Sequence, residues 1–211
     1  MTHADVIARV EAALRKDLPG ADAHRWLAPR PRRTWPQGFN PARIRHAAGL
    51  LLIVPIDGRA HIVLTVRADA VRHGGQISLP GGVVEPGETF EQAARREAHE
   101  EIALPVDAAH LLGPLTPIDI PVSGFRLHPI VAATGERPLL RPSDGEVAQI
   151  LEVDVDALRA PANFLTRERV RDGRALSVPG FHIDGHEIWG ATAMVLAEFL
   201  VLLGWAPHNA A

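Results

Sequence analysis

The spacing of apolar residues sets the first expectations. Val6, Ile7, Val10 and Leu14 recur at helical intervals, which predicts an amphipathic helix over residues 4–17, ended by Pro19 and Gly20. Residues 46–56 (HAAGLLLIVPI) and 60–67 (AHIVLTVR) are apolar runs of strand length. Asp57-Gly58 between them is a strong hairpin signal. QISLPGG at 76–82 predicts a short strand ending in a tight turn, and residues 89–103 return to helical spacing. Further strands are expected at 111–116, 125–133, 147–153 and 178–183, with Asp154 capping a short helix through Leu158. A last apolar run near 190–203, ATAMVLAEFLVLLG, falls short of the ~20 residues that span a bilayer, and Glu198 interrupts it. It reads as a buried helix, and no membrane partner is expected.

Composition changes this picture little. The chain has 211 residues, 46% hydrophobic and 22% charged, enough to bury a core as one domain with extensions. Residues 29–41 hold Pro29, Pro31, Pro36 and Pro41 among several arginines and read as a semi-rigid connector. The division expected is 1–40 for the first helix and connector, 41–205 for the main domain, and 206–211 for a tail. The chain has no cysteine, which excludes disulfides, thiol nucleophiles and cysteine-based zinc sites. That is compatible with a cytoplasmic address. The first residues mix charges through their apolar positions and do not read as a signal peptide. A net charge of −3 gives no basic field for nucleic acid, so no nucleic-acid partner is expected.

The chemistry concentrates in residues 81–104, GGVVEPGETFEQAARREAHEEIAL. Thr89 and Gln92 have capping-box spacing, so a helix should begin there. Phe90, Ala94, Ala98 and Ile102 then form a core-facing stripe at i+4. Glu97, Glu100 and Glu101 lie beside that stripe on one face. Arg96 is placed to hydrogen-bond a carboxylate, and Arg95 to pair with Glu91. On an exposed helix such carboxylates cost each other only about 0.2–0.5 kcal/mol, so a plain solvated face accounts for them as well. Near a core the repulsion grows, and a hard divalent cation relieves it; oxygen ligands select Mg²⁺ or Mn²⁺. The helix alone leaves both readings open.

Its frame adds a resemblance. The stretch resembles the Nudix box, G-x5-E-x7-R-E-U-x-E-E-x-G-U, with Gly82, Glu88, Arg96, Glu97, Glu100, Glu101 and Leu104 in register. Ala98 stands at the first bulky apolar position, and Ala103 replaces the glycine near the helix end. The resemblance implies an α/β fold, a Nudix-type α/β/α sandwich with a mixed β-sheet and a catalytic strand–loop–helix. It implies that Glu97, Glu100 and Glu101 bind Mg²⁺ or Mn²⁺, joined by the Gly82 carbonyl. Glu88 would hold the box together. Glu100 or Glu101 would assist in deprotonating water. Glu146, in the later loop PSDGEV, is a further acidic candidate, with a solvated loop residue as the equal alternative.

Just upstream, LTVRADAVRHGGQISLPGG at 64–82 resembles the signature of Nudix coenzyme A pyrophosphatases. Leu64, Thr65, Arg67, Ala68, Arg72, Gly75 and Pro80-Gly81-Gly82 match it, although Leu79 replaces Phe and the Arg72–Gly75 spacing is one residue short. The resemblance implies a small nucleotide substrate whose phosphates meet Arg67 and Arg72, with His73 and Gln76 beside them. The expected reaction yields 3′,5′-ADP and 4′-phosphopantetheine. ADP-ribose, NADH or another nucleoside diphosphate derivative is the alternative substrate, and a non-catalytic nucleotide-binding regulator the third reading. A homodimer contact through residues 1–40 stays open. The chain has no GxxxxGK[ST] loop, no HExxH and no G-x-S-x-G elbow, which removes three competing enzyme classes.

Overall fold

The apolar run at 46–56 forms β1 (Arg45–Ile56), and its position explains its composition. Leu51 and Ile53 face one apolar layer, while Ala48, Leu50, Leu52 and Val54 face another. A strand covered on both faces cannot alternate apolar with polar residues. Asp57 (φ 49°) and Gly58 (φ 74°) both take positive φ, as a type I′ turn requires, and lead into the antiparallel β2 (Arg59–Arg67). The computed structural model describes residues 1–68, 75–143, 145–171 and 173–206.

The stretch at 76–82 forms two strands where one was expected. β3 (Ile77–Ser78) pairs with β2, and β4 (Gly81–Val83) pairs with β1, with Leu79 and Pro80 between. Proline has no N–H for a ladder, but the Pro80 carbonyl still accepts from Leu50 N at 2.8 Å. Next come α3 (Phe90–Ile102), β5 (Ala109–Pro114), β6 (Ile118–Ile120), β7 (Phe125–Thr134) and β8 (Val147–Asp154). β7 runs parallel to β1, whereas β5 and β6 are antiparallel to β7 and β8 is antiparallel to β2. Among the described residues this is an eight-stranded mixed sheet.

Helices cover both faces. α3 buries Ala93, Ala94, Ala98 and Ile102 against one. On the other lie α1 (His3–Leu14), through Val6 and Val10, and the closing helix. The first helix stops three residues short of the expected end, because residues 15–17 are charged and exposed and nothing holds a further turn. The fold is therefore the α/β/α sandwich with a mixed sheet that the resemblance implies.

Several elements were not expected, or only in part, the short β6 among them. α2 (Gly20–His24) starts at the residue read as a helix breaker. Gly20 takes φ +48°, and a Cβ there would lie 3.1 Å from Thr116 Oγ1. After α4 (Val155–Arg159), capped by Asp154 Oδ1 accepting from Asp156 N at 2.8 Å, comes a three-stranded antiparallel sheet. Its strands are β9 (Phe164–Arg171), β10 (Arg174–Ile183) and β11 (His186–Trp189). Only the end of β10 had been expected. β9 reads FLTRERVR, whose charges hide its strand character.

α5 (Ala191–Leu202) is the apolar helix near 190–203, and it is buried in the core. No helix among the described residues is long and apolar enough to cross a membrane. The interrupting Glu198 is fully buried. Its carboxylate accepts from Gly20 N (3.1 Å), Thr116 N (3.2 Å) and Thr116 Oγ1 (2.6 Å), and it lies 2.9 Å from His24 Nε2. One side chain thus ties α2 and the β5–β6 connection to α5. At the start of α5, Thr192 Oγ1 donates to the Ile77 carbonyl at 3.0 Å and fixes β3.

Candidate functional site

The acidic helix begins as its capping box dictates. Thr89 Oγ1 accepts from Gln92 N at 3.2 Å, and Gln92 Oε1 accepts from Thr89 N at 2.8 Å. Its far end is less regular. Ala103 closes the helix in the left-handed region (φ 55°, ψ 31°), the conformation that glycine adopts freely. Leu104 is buried just beyond and holds the chain in that turn. The left-handed form costs an L-residue roughly 1–2 kcal/mol, while glycine loses about 0.5–1 kcal/mol more chain entropy on folding. Ala103→Gly is therefore expected to stabilise the protein by about 0.5–1 kcal/mol in urea unfolding. A loss of stability would show that the turn is not strained.

Both glycines after Pro80 are required, for different reasons. A Cβ on Gly81 would lie 2.3 Å from the Ala48 carbonyl oxygen and 2.6 Å from Gly49 Cα, both backbone of β1. A Cβ on Gly82 would lie 2.3 Å from Glu97 Oε1. The bare backbone at 82 thus makes room for a carboxylate from α3.

The three expected glutamates take three different environments. Glu97 is mostly buried against Gly82. Burial pushes its carboxyl above the ordinary range; Arg96 opposes this, and the charges of Glu100 and Glu146 reinforce it. Glu100 is half exposed. Glu101 is buried at 4% exposure, and its Oε2 accepts from Gly81 N at 3.0 Å. Helix and glycine turn are therefore joined twice, at Gly81 and at Gly82.

Arg96 organises the cluster. Its Nη1 donates to Glu97 Oε1 (2.9 Å) and Glu100 Oε2 (3.0 Å). Its Nε and Nη2 grip the two oxygens of Glu88 at 2.7 and 3.1 Å, and Nη2 also donates to the Val83 carbonyl. That bidentate pair holds the Glu88 carboxyl below its ordinary range, helped by the Glu85 N–H. Glu88 is thus a tie between the turn and α3. Arg95, expected to pair with Glu91, instead donates to the Val106 carbonyl at 2.7 Å.

The donor set suits a hard divalent cation in chemistry: carboxylate oxygens from α3 beside a strand carbonyl. Its arrangement has a cationic nitrogen, Arg96 Nη1, already lying between Glu97 and Glu100. Among the described residues no three acidic or histidine side chains converge on one point. A cation held here would draw Glu97 and Glu100 partly away from Arg96.

Of the expected substrate residues, Arg67 lies at the end of β2, where its N donates to the Gln76 carbonyl at 3.0 Å. Gln76 is half-buried, directly before β3. Arg72 and His73 lie outside the described residues. Arg67 Nη2 donates to Glu146 Oε2 at 3.0 Å, and Ala68 N donates to the Glu146 carbonyl at 2.7 Å. The loop carrying Glu146 is tied to α3 as well, through Ser143 N donating to the Glu101 carbonyl at 3.1 Å. Sequence reading named Arg67 and Glu146 separately; their pairing needed the β2–β8 contact to be seen.

Comparison with known proteins agrees with this geometry. The family model described as NUDIX domain matches residues 44–173. The chain is similar to a protein called uncharacterized Nudix hydrolase NudL from Yersinia enterocolitica, 34% identical over 164 residues, 75% of this chain and 82% of that one. A protein of the same name from Pectobacterium atrosepticum is 28% identical over 174 residues, 82% of this chain and 90% of that one. Among solved structures, a MutT/nudix family protein from Enterococcus faecalis is similar in fold, with a TM-score of 0.50 at 16% identity, over 82% of this chain and 66% of that one.

Proposed function

Because this chain belongs to the Nudix hydrolase family, we propose that it hydrolyses the diphosphate bond of coenzyme A or a derivative with a divalent cation, Mg²⁺ or Mn²⁺. Water attacks one phosphorus of the diphosphate and one P–O bond breaks, leaving 3′,5′-ADP and 4′-phosphopantetheine. Glu97, Glu100, Glu101 and the Gly82 carbonyl would hold the cation. When bound, it polarises the phosphoryl oxygens and acidifies water.

The rest falls to this chain's own groups. Arg96 and Glu88 fix the helix against the glycine turn, so the carboxylates need little reorganisation. Glu100, the most exposed of the three glutamates, can accept a proton from attacking water. Arg67 offers a guanidinium to a second phosphate group.

One observation carries the substrate reading. Arg67 and α3 are linked through the loop of Glu146, whose carboxylate pairs with Arg67 and whose Ser143 N donates to the Glu101 carbonyl. A substrate with a diphosphate for the carboxylate–cation end and a further phosphate for Arg67 suits that pair of poles. Coenzyme A carries both.

The test is a panel of coenzyme A, dephospho-coenzyme A, ADP-ribose and NADH with Mg²⁺ and with Mn²⁺, scored by product identification. Arg67→Ala is expected to raise KM for coenzyme A about tenfold, the range of one charge-assisted hydrogen bond, and to leave the dephospho form nearly unchanged. Equal loss on both would remove the 3′-phosphate role. Preferred turnover of ADP-ribose or NADH would move the assignment to the alternative substrates.

A further inference from the structure

Away from the carboxylate cluster, two histidines face each other across the sheet. His46 and His128 sit near the starts of β1 and β7, which run parallel, with His46 opposite Arg126 and Ala48 opposite His128. Both project towards the α3 layer, as Ala48 and Leu50 do on β1 and Ile130 and Ala132 do on β7. His46 Nδ1 lies 2.9 Å from His128 Nε2. The His128 ring stacks on Phe90, the first residue of α3, with centroids 3.5 Å apart and planes 9° from parallel. At that separation one nitrogen carries the proton and the other the lone pair. The pair therefore bonds when both rings are neutral, or when they share one extra proton. A second extra proton would aim two N–H groups at each other. Little nearby relieves that charge. Among the described residues neither ring has a hydrogen bond other than this one. The charged groups facing His128 are His46 on β1, Arg126 on β7 and Asp119 on β6, while α3 presents the uncharged Phe90. Of these only Asp119 favours a protonated ring, and both its oxygens are taken by Arg126, at 2.6 and 3.1 Å, with Arg32 acting on it as well. Burial, then His46 and Arg126, hold the His128 imidazole down to about 4.

We propose that His46 and His128 form a proton-operated latch between the sheet and the first turn of α3. It stays closed while the pair holds at most one extra proton, and the second parts the rings and frees Phe90 from its stack. Linkage makes acid the opening signal. An unfolded histidine takes its proton near 6.5, whereas His128 in the folded chain stays neutral down to about 4. Its contribution to stability is therefore complete above about 6.5, and is lost as pH falls from there to about 4. Phe90 opens the helix that carries Glu97, Glu100 and Glu101, so acid loosens the start of that helix while Arg96 and Glu88 still hold its middle. The latch does not depend on the identity of the substrate, because neither histidine bonds to the carboxylate cluster.

The test compares the parent chain with His128→Gln and His46→Gln, each of which removes one titrating ring. Urea unfolding is followed at about pH 7.5 and about pH 4.5. Across this interval the folding equilibrium constant of the parent is expected to fall about tenfold further than that of His128→Gln, less than full linkage gives because the His46 side is open to solvent. An equal fall in both proteins would overturn the latch. His46→Gln, at the exposed ring, is expected to differ from the parent in the same direction, which keeps the comparison decisive should His128→Gln not fold. In proton NMR the His128 ring is expected to titrate far below 6.5 in the parent and to rise part-way towards 6.5 in His46→Gln. A His128 midpoint that ignores His46 would overturn the pairing and leave burial as the sole cause. Amide exchange over residues 90–94 reads the start of α3. The ratio of the parent rate to the His128→Gln rate, taken at matched pH, is expected to grow about tenfold from the higher pH to the lower, whatever its starting value. A constant ratio would overturn the link to α3.

Discussion

Glu100→Gln and Glu101→Gln are each expected to lower Mg²⁺-dependent turnover by about 10²–10³-fold, the scale on which loss of one preorganised electrostatic group acts. The two variants probe different positions. Glu100 is half exposed and hydrogen-bonded to Arg96 alone among the contacts described for it, so its replacement leaves the core untouched. Glu101 is buried and accepts from Gly81 N. Glutamine keeps an acceptor oxygen for that bond while removing the charge. Thermal melting should therefore stay near the parent value for Glu100→Gln and fall by a few degrees at most for Glu101→Gln. Steady-state kinetics over a Mg²⁺ series checks the result. Near-normal turnover in both variants would sink the cation assignment.

The largest effect on stability is expected from a residue far from that chemistry. Glu198→Ala removes a fully buried carboxylate and leaves Gly20 N, Thr116 N, Thr116 Oγ1 and His24 Nε2 without their common partner. Breaking a buried ionic or charge-assisted network on one side costs about 3–5 kcal/mol, because the groups left behind stay out of water. That is a large share of a stability of typically about 5–15 kcal/mol. Urea unfolding measures the loss, and Glu198→Gln should fall between the two, since an amide can replace only some of the bonds. A loss below about 1 kcal/mol for Glu198→Ala would mean that water reaches the cluster.

These two glutamate sites mark what could be read from sequence and what could not. The α3 glutamates were legible because helical spacing, a capping box and the box frame all lie within residues 82–104, and each feature is local. β1, β2 and their turn were legible for the same reason: Asp57-Gly58 states its own geometry. Glu198 was read only as an interruption in an apolar helix. Its partners lie 82, 174 and 178 positions away, and no local pattern announces them. β9 escaped because Arg167, Glu168 and Arg169 follow one another along it and break any apolar alternation, and α2 because Pro19-Gly20 reads as a stop. In the site, the resemblance named Glu88 as holding the box together without naming its partner Arg96, and the pairing of Arg67 with Glu146 depends on β8 lying beside β2.

The glycine pair at 81 and 82 divides the molecule into parts with different freedom to change. At Gly81 the obstacle to a side chain is main chain, and main chain cannot be redesigned by substitution. At Gly82 the obstacle is the Glu97 carboxylate itself. The hydrolytic end is thus bolted to the sheet with almost no tolerance. Arg67 and Gln76 meet through a backbone hydrogen bond, which leaves the choice of side chain open at both. An engineer seeking a new leaving group or nucleotide would change those two side chains and leave the bolt alone. Selection working on duplicated copies of such a chain faces the same partition: fixed machinery at one end, exchangeable side chains at the other.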